Sequence, residues 1–500
     1  MTDGEVPVEP ARERDWKQTI RQPKVWIPAA GVALVAVVVG AVAATAGGGE
    51  PAAGPTTGSS ANPTVEAAGP TPSGSSAPTT SASASPGASP SATPSASPPW
   101  DEGDDYVDEA AACVPNGTVV AAPKQSKTFV KPSPGSHTAQ YEGGGLDYFR
   151  VVGFSADDSR VAIHGNSEGS EWISVRRPSD LKEIAVYRSQ YEAAEAWDNG
   201  HTKLAVATTD SKDRLTVSVV NPATGTASVV YSAGEATAQS LAWSPDGRCL
   251  MLASRWSGDL WNDGDPSIHS LTVIDAATGA SSDFGNGISA AYSPSGDSVF
   301  FFATDWEDDR IKLFQSDSAM GVAVRRGISG STTTEDVDHE PVNFSPDGAL
   351  GVYVERPSQA SANVKNFESS GEGDGYLAKY TDEVASLPDW NRDSKKVVYC
   401  TGWHETGCDQ LVIADGYGGI LEEAGTPGGR LGSTRWTPDG KAIVAGVNTG
   451  KEGAFYRYES GSWTRITDSA EGYTSGPMVW SYDGSTVLWS LDHSLFVESD

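Results

Sequence analysis

Trp243-Ser244-Pro245-Asp246-Gly247 is an aromatic residue running into a tight turn. Proline presets φ near −65° at the first central position of such a turn, and Asp and Gly favour the positions after it. Versions of the stretch recur around Phe154, Trp197, Tyr292, Phe344, Trp390, Trp436 and Trp480, at spacings of 43, 46, 49, 52, 46, 46 and 44 residues between successive aromatics. The copies at Phe154, Trp197 and Trp390 are degenerate. Short apolar runs follow the turns, as in Cys249-Leu250-Met251-Leu252-Ala253 and Val397-Val398-Tyr399-Cys400, and read as strands buried on both faces. A third strand then alternates and often ends in Thr-Gly, as at 215–225 and 271–279.

A repeat of this length, made of one hairpin-rich sheet, predicts propeller blades of four strands each. The expected fold class is therefore all-β, an eight-bladed β-propeller, with a seven-bladed ring and one irregular repeat as the alternative. A lone four-stranded sheet leaves two faces exposed, and packing sheets face to face around a ring covers them. The last repeat, 476–500, has room for only three strands. An N-terminal segment, either 117–121 or 127–131, is expected to supply its outer strand, because an open edge invites aggregation.

The turn resembles the TolB-like propeller repeat, a relative of the WD-repeat whose mark is aromatic-Ser-Pro-Asp-Gly before an apolar strand. Ser244-Pro245-Asp246-Gly247 and Ser345-Pro346-Asp347-Gly348 carry it intact, and Thr437-Pro438-Asp439-Gly440 comes close. The resemblance covers residues 148–500 and implies the propeller fold. TolB itself has six blades and a separate N-terminal α/β domain, so its own task does not transfer.

Residues 1–24 hold five basic and five acidic side chains, and 25–47 carry no charge. About 20 apolar residues suffice to cross a bilayer, and the basic flank of Lys17, Arg21 and Lys24 is expected to stay cytoplasmic. The expectation is a single-pass transmembrane helix at 25–47, with the rest of the chain extracytoplasmic at the cell membrane. The alternative is a secreted protein after signal cleavage near Ala41-Val42-Ala43 or Ala44-Thr45-Ala46. Residues 48–100 are almost wholly Ala, Ser, Thr, Pro and Gly and read as a disordered linker. Residues 101–147 are a lead-in containing the closing strand, and 148–500 are the propeller. This build resembles an actinobacterial surface protein.

Of 35 basic and 66 acidic residues, five of each lie in 1–24 and two acidic ones in 48–100, leaving 30 and 59 from residue 101 onward, a net of −29. Nucleic acid is excluded as a partner on these grounds. Four cysteines do not make a disulfide scaffold, but export permits bonds. Cys400 and Cys408 flank one hairpin and are expected to pair. Cys113 and Cys249 would pair only if the lead-in passed the third repeat, which is not expected.

Conserved turns occupy one rim of such a ring, and the second-to-third strand loops project from the other, where function more often resides. Those loops carry Trp256 and Trp261 in the third repeat, Asp305 and Trp306 in the fourth, a long excursion at 359–375 in the fifth, and Trp403 and His404 in the sixth. Exposed tryptophans anchor interfaces and stack on sugars, so these residues are read as a binding face for an envelope protein or glycan. The competing reading folds each tryptophan back on its own sheet. The motif tryptophans Trp197, Trp243, Trp390, Trp436 and Trp480 are expected in the core. No catalytic residue, metal site or cofactor is assigned; calcium in an acidic loop is a minor alternative. Gly165-Asn166-Ser167-Glu168-Gly169 has the nucleophile-elbow spacing but not the strand-turn-helix setting it requires. The expected function is a membrane-anchored extracytoplasmic binding or scaffold module. A propeller enzyme of lactonase, lyase or glycosidase type is the alternative, and a convergent set of His and carboxylates at the channel mouth would favour it.

Overall fold

The computed structural model describes residues 111–500 apart from 143–147, 168, 257–268, 306–309, 320–325, 333–341, 359–360, 371–374, 382–387, 405–406, 475 and 492. The expected membrane segment at 25–47 and the linker at 48–100 lie outside the described residues. Among the described residues there is no helix, and so none long and apolar enough to cross a membrane.

The chain is all β. Each motif copy sits between the first two strands of an antiparallel meander; in repeat 1 these strands are Tyr148–Phe154, Val161–Ser167, Ser170–Arg176 and Glu183–Ser189. Repeats 2 to 5 follow the same order. Repeats 6 and 7 share one nine-stranded sheet, two meanders joined where Cys408 pairs with Leu431. Apolar clusters lie between consecutive repeats. One holds Ile173 and Val206 from repeats 1 and 2, another Met251 and Phe301 from repeats 3 and 4, and another Phe149 with Leu488 and Val497, which seals repeat 8 against repeat 1. Each sheet is stable because both of its faces are covered by its neighbours.

The motif turn is held by its own side chains. Cys249 N–H donates to Ser244 Oγ (2.9 Å), the Ser244 hydroxyl donates to Asp246 Oδ1 (2.5 Å), and Arg248 N–H donates to the same oxygen (3.1 Å). Ser345 with Asp347, Thr437 with Asp439 and Ser481 with Asp483 repeat the pattern. Gly247 closes the turn at φ 66°, a left-handed conformation that costs glycine little. The motif indoles reach backwards round the ring: Trp243, Trp390 and Trp436 donate Nε1–H to the carbonyls of Ala196, Asn343 and Asp389, each 47 residues earlier.

The three degenerate motifs put Asp158, His201 and Ser394 where the others have glycine, all at φ between 52° and 59°. Each uses its side chain on the preceding repeat. Asp158 accepts from Tyr482 and Asp483 N–H (2.7 and 2.8 Å), His201 Nδ1 lies 2.8 Å from Phe154 O, and Ser394 Oγ accepts from Asp347 N–H (2.9 Å). The left-handed strain, about 1 kcal/mol per residue, is offset by bonds a glycine could not make. His201 also stacks on Trp197, which is half-buried rather than in the core, whereas Trp243, Trp390, Trp436 and Trp480 are buried.

Closure differs from expectation in its segment. Repeat 8 contributes Val479–Trp480, Thr486–Leu491 and Ser494–Ser499, and its outer strand is Ala139–Glu142, with Ala139 opposite Val497. Neither 117–121 nor 127–131 is that strand, because both are bonded to motif turns. Val120 N–H donates to Pro245 O and Asn199 Nδ2 to Val120 O, while Ser126 and Val130 N–H donate to Tyr482 and Gly484 O. The lead-in thus runs along the motif-turn rim from repeat 3 past repeat 2 to repeat 8. This path corrects the expectation for Cys113. Ala112 and Asn116 N–H bond to Ser282 Oγ and Asp246 Oδ2 of repeat 3, and Cys113 is disulfide-bonded to Cys249 with Cα atoms 5.7 Å apart. Cys400 and Cys408 are also bonded, Cα atoms 5.8 Å apart.

Candidate functional site

The second-to-third hairpins and the links between repeats lie at the rim opposite the motif turns. In repeat 1 that end carries Tyr148 at the start of the first strand, with Arg150 two residues in and His164 directly across from it on the second strand. Glu171 is the second residue of the third strand, opposite Asn166, and Glu195 comes from the first strand of repeat 2. Alternation along each strand and packing of one sheet on the next bring the four charged groups together.

His164 is the centre. Its Nδ1 lies 2.8 Å from Glu195 Oε2 and its Nε2 3.1 Å from Glu171 Oε2. Arg150 Nη2 donates to Glu195 Oε1 at 2.7 Å, and Ala193 N–H to Glu171 Oε2 at 2.6 Å. The side chains of His164 and Glu195 are 8% and 2% exposed. Burial alone would pull the imidazole pKa down, but the Glu195 charge and the bonds to both carboxylates push it up to about 9. Burial would likewise raise Glu171, yet the bonds from His164 and Ala193 hold it below the usual carboxylate range. The raised pKa fits an imidazole that donates one N–H to each carboxylate. The 3.2 Å approach of Arg150 Nη2 to His164 Nδ1 follows from two donors converging on one carboxylate. Two cations and two anions cancel, which is how buried charge is tolerated.

The polar rim continues into repeat 3, where Arg255 Nη2 lies 3.5 Å from Glu192 Oε1 and the Gln239 amide donates to Glu192 Oε2. With both ring nitrogens against carboxylates, the cluster holds its own members in place. It presents outward the half-exposed Arg150 guanidinium and the Tyr148 ring, which is 43% exposed. Among the described residues no group of three or more His, Cys, Asp or Glu is arranged to hold a metal.

Of the residues singled out from sequence, Trp256 ends the second strand of repeat 3 opposite Ala236, and Asp305 ends that of repeat 4 opposite Arg310. Trp403 and His404 end that of repeat 6, opposite Cys408 and Gly407. All four stand at the hairpin rim by backbone register, in strands rather than loops, and their side chains lie outside what is described. Trp261 and Trp306 lie outside the described residues. The expected excursion at 359–375 is instead part of a hairpin: Leu350–Ser358 and Ser361–Glu368 pair as far as Ser358 with Ser361. Gly165-Asn166-Ser167 is the end of a strand, with Ser167 opposite Ser170, and not a strand-to-helix elbow.

Sequence reasoning missed Arg150, His164, Glu171 and Glu195. One signal was available. Ten residues after the motif aromatic, repeat 1 has His164 where repeats 2 and 3 have Ala207 and Ala253, a titratable group in an otherwise apolar strand.

No family model and no curated protein matches the sequence. Among solved structures, one described as the Dos1 propeller aligns with 75% of this chain and 96% of its own, at 12% identity and a TM-score of 0.51, which shows the propeller fold. TolB from Acinetobacter baumannii aligns with 58% of this chain and 64% of its own, at 17% identity and a TM-score of 0.36. An oligogalacturonate lyase in complex with manganese aligns with 68% of this chain and 98% of its own, at 16% identity and a TM-score of 0.46. Likeness at these identities extends to the fold alone.

Proposed function

We propose that the chain is a membrane-anchored, eight-bladed propeller outside the cell that holds a protein or glycan of the cell envelope on its hairpin rim. The blade number rests on eight motif copies, each with its meander, and on apolar clusters at successive seams that end by joining repeat 8 to repeat 1. The anchor and location rest on the uncharged stretch 25–47 and its basic flank. Trp256, Trp261, Trp306 and Trp403, with Asp305 and His404, are proposed to share that rim's binding surface with Tyr148 and Arg150.

The observation that carries binding over catalysis is the state of His164. A His with two carboxylates at the rim is what a propeller enzyme would need, but here the three converge on one another and not on vacant space. Both ring nitrogens face carboxylates, and Glu195 holds the Arg150 guanidinium at the rim, which supports a positioning role for the cluster.

Capture from solubilised envelope by the immobilised full chain tests this. Tyr148→Ala and the fourfold Trp256, Trp261, Trp306 and Trp403→Ala variant should each melt within a few degrees of the parent and lose the captured partner. Equal capture by parent and both variants would refute the rim reading.

A further inference from the structure

The opposite rim carries a second site, independent of the hairpin-rim reading. Trp480 does not donate to the carbonyl its motif counterparts use, that of the residue before the previous motif aromatic. Its Nε1–H goes to Val130 O of the lead-in (3.0 Å), and Phe129 packs edge-on against its ring at 5.7 Å. The lead-in is wedged into the seam between repeats 7 and 8, and beside the wedge lies a cavity of about 190 Å³.

Phe129, Val444 and Trp480 form its apolar wall, and Lys131, Arg457 and Glu459 its charged one. The position of Arg457 is unusual. Pairing sets it across from Val444, the eighth residue after the motif aromatic. The same register in repeats 1, 2, 3, 6 and 8 holds Val175, Val219, Val273, Ile413 and Val497, which seal seams by apolar contact, and in repeats 4 and 5 it holds the uncharged Gln315 and Asn366. Repeat 7 places a guanidinium there, with Nη2 2.9 Å from Glu459 Oε2 and a buried Nε that has no partner. Lys131 Nζ lies 5.8 Å from the Phe129 ring centre. Two cations against one carboxylate leave a local positive charge in a strongly acidic domain.

We propose that this cavity binds a small organic anion, one aromatic ring bearing a carboxylate. The ring would lie against Phe129 and Trp480, and the carboxylate on Arg457 and Lys131. The volume suits such a ligand, since a cavity of about 150 Å³ takes benzene. An arginine facing a carboxylate supplies a charge-assisted hydrogen bond.

The test is a fluorine NMR titration of the full chain with 4-fluorobenzoate and with 4-fluorobenzyl alcohol, its uncharged counterpart. The benzoate should bind saturably and the alcohol at least about tenfold more weakly. Arg457→Val, which puts there the residue found in repeats 1, 2, 3 and 8, should weaken the benzoate about tenfold, and Lys131→Gln, an exposed position, should weaken it without altering the melting temperature. Absence of saturable benzoate binding, equal affinity for the alcohol, or parental affinity in both variants would overturn the proposal. Should Arg457→Val fail to fold, an unchanged affinity in Lys131→Gln overturns it alone.

Discussion

Replacing His164 by glutamine should remove a pH-dependent part of the stability of the hairpin rim. An imidazole ordinarily titrates at 6.5, and the two carboxylates push that of His164 up to about 9. A group whose folded pKa lies above its unfolded value contributes in full below the unfolded pKa, where both states are protonated, and loses that contribution as pH rises through the folded one. The window is therefore about 6.5 to 9. Moving an imidazole pKa from 6.5 to about 9 corresponds to about 3 to 4 kcal/mol. Little of it is screened by solvent, because His164 and Glu195 are 8% and 2% exposed. The variant should still fold, since Arg150 continues to neutralise Glu195 and Ala193 N–H continues to serve Glu171. Urea unfolding of parent and variant at pH 6, 7.5, 9 and 10 is the assay. Groups common to both chains cancel in the difference, which should be largest at pH 6 and shrink by about 3 to 4 kcal/mol by pH 10. A difference constant within about 0.5 kcal/mol across that range would mean that His164 is not held as an imidazolium, and the description of the cluster would fail with it.

The remaining predictions concern the ring. Asp158→Gly relieves left-handed strain but gives up two bonds across the joint between repeats 1 and 8, so a net loss of about 1 kcal/mol is expected; a melting temperature raised by the change would show the bonds to be worth less than the strain. Loss of the Cys113–Cys249 bond, which spans 136 residues, should cost about 5 kcal/mol on chain entropy, against about 2.5 for the eight-residue Cys400–Cys408 loop. Paired Cys→Ser variants compared by urea midpoint should preserve that order, and a reversed order would refute it. Deleting Ala139–Glu142 bares the Ser494–Ser499 edge, and light scattering should then show concentration-dependent association; a strictly monomeric deletion variant would mean that the edge is protected in another way.

Some of this protein is local chemistry and was legible as such. Turn residues at a regular spacing, each leading into an apolar run, specify a meander wherever they occur, because Ser244, Asp246 and Gly247 make their bonds within five residues of one another. Repetition of an element that cannot cover its own faces then requires a ring. Charge and composition likewise act residue by residue, and the strongly acidic balance needs no coordinates to be read.

Partnerships between residues far apart in the chain were decided only by the tertiary structure. Residues 117–121 and Ala139–Glu142 are both short segments of the lead-in, and their local sequence does not say which becomes a strand. The path along the motif-turn rim decides it, spending the first on Pro245 and Asn199 and delivering the second to Ser494–Ser499. The same path brings Cys113 to Cys249. Glu195 meets His164 from another repeat, and Arg457 lines a cavity together with Phe129 and Lys131 of the lead-in. Periodicity reports which face a side chain occupies, but the identity of the group across a seam depends on how one sheet is seated on the next, and that is a property of the closed ring.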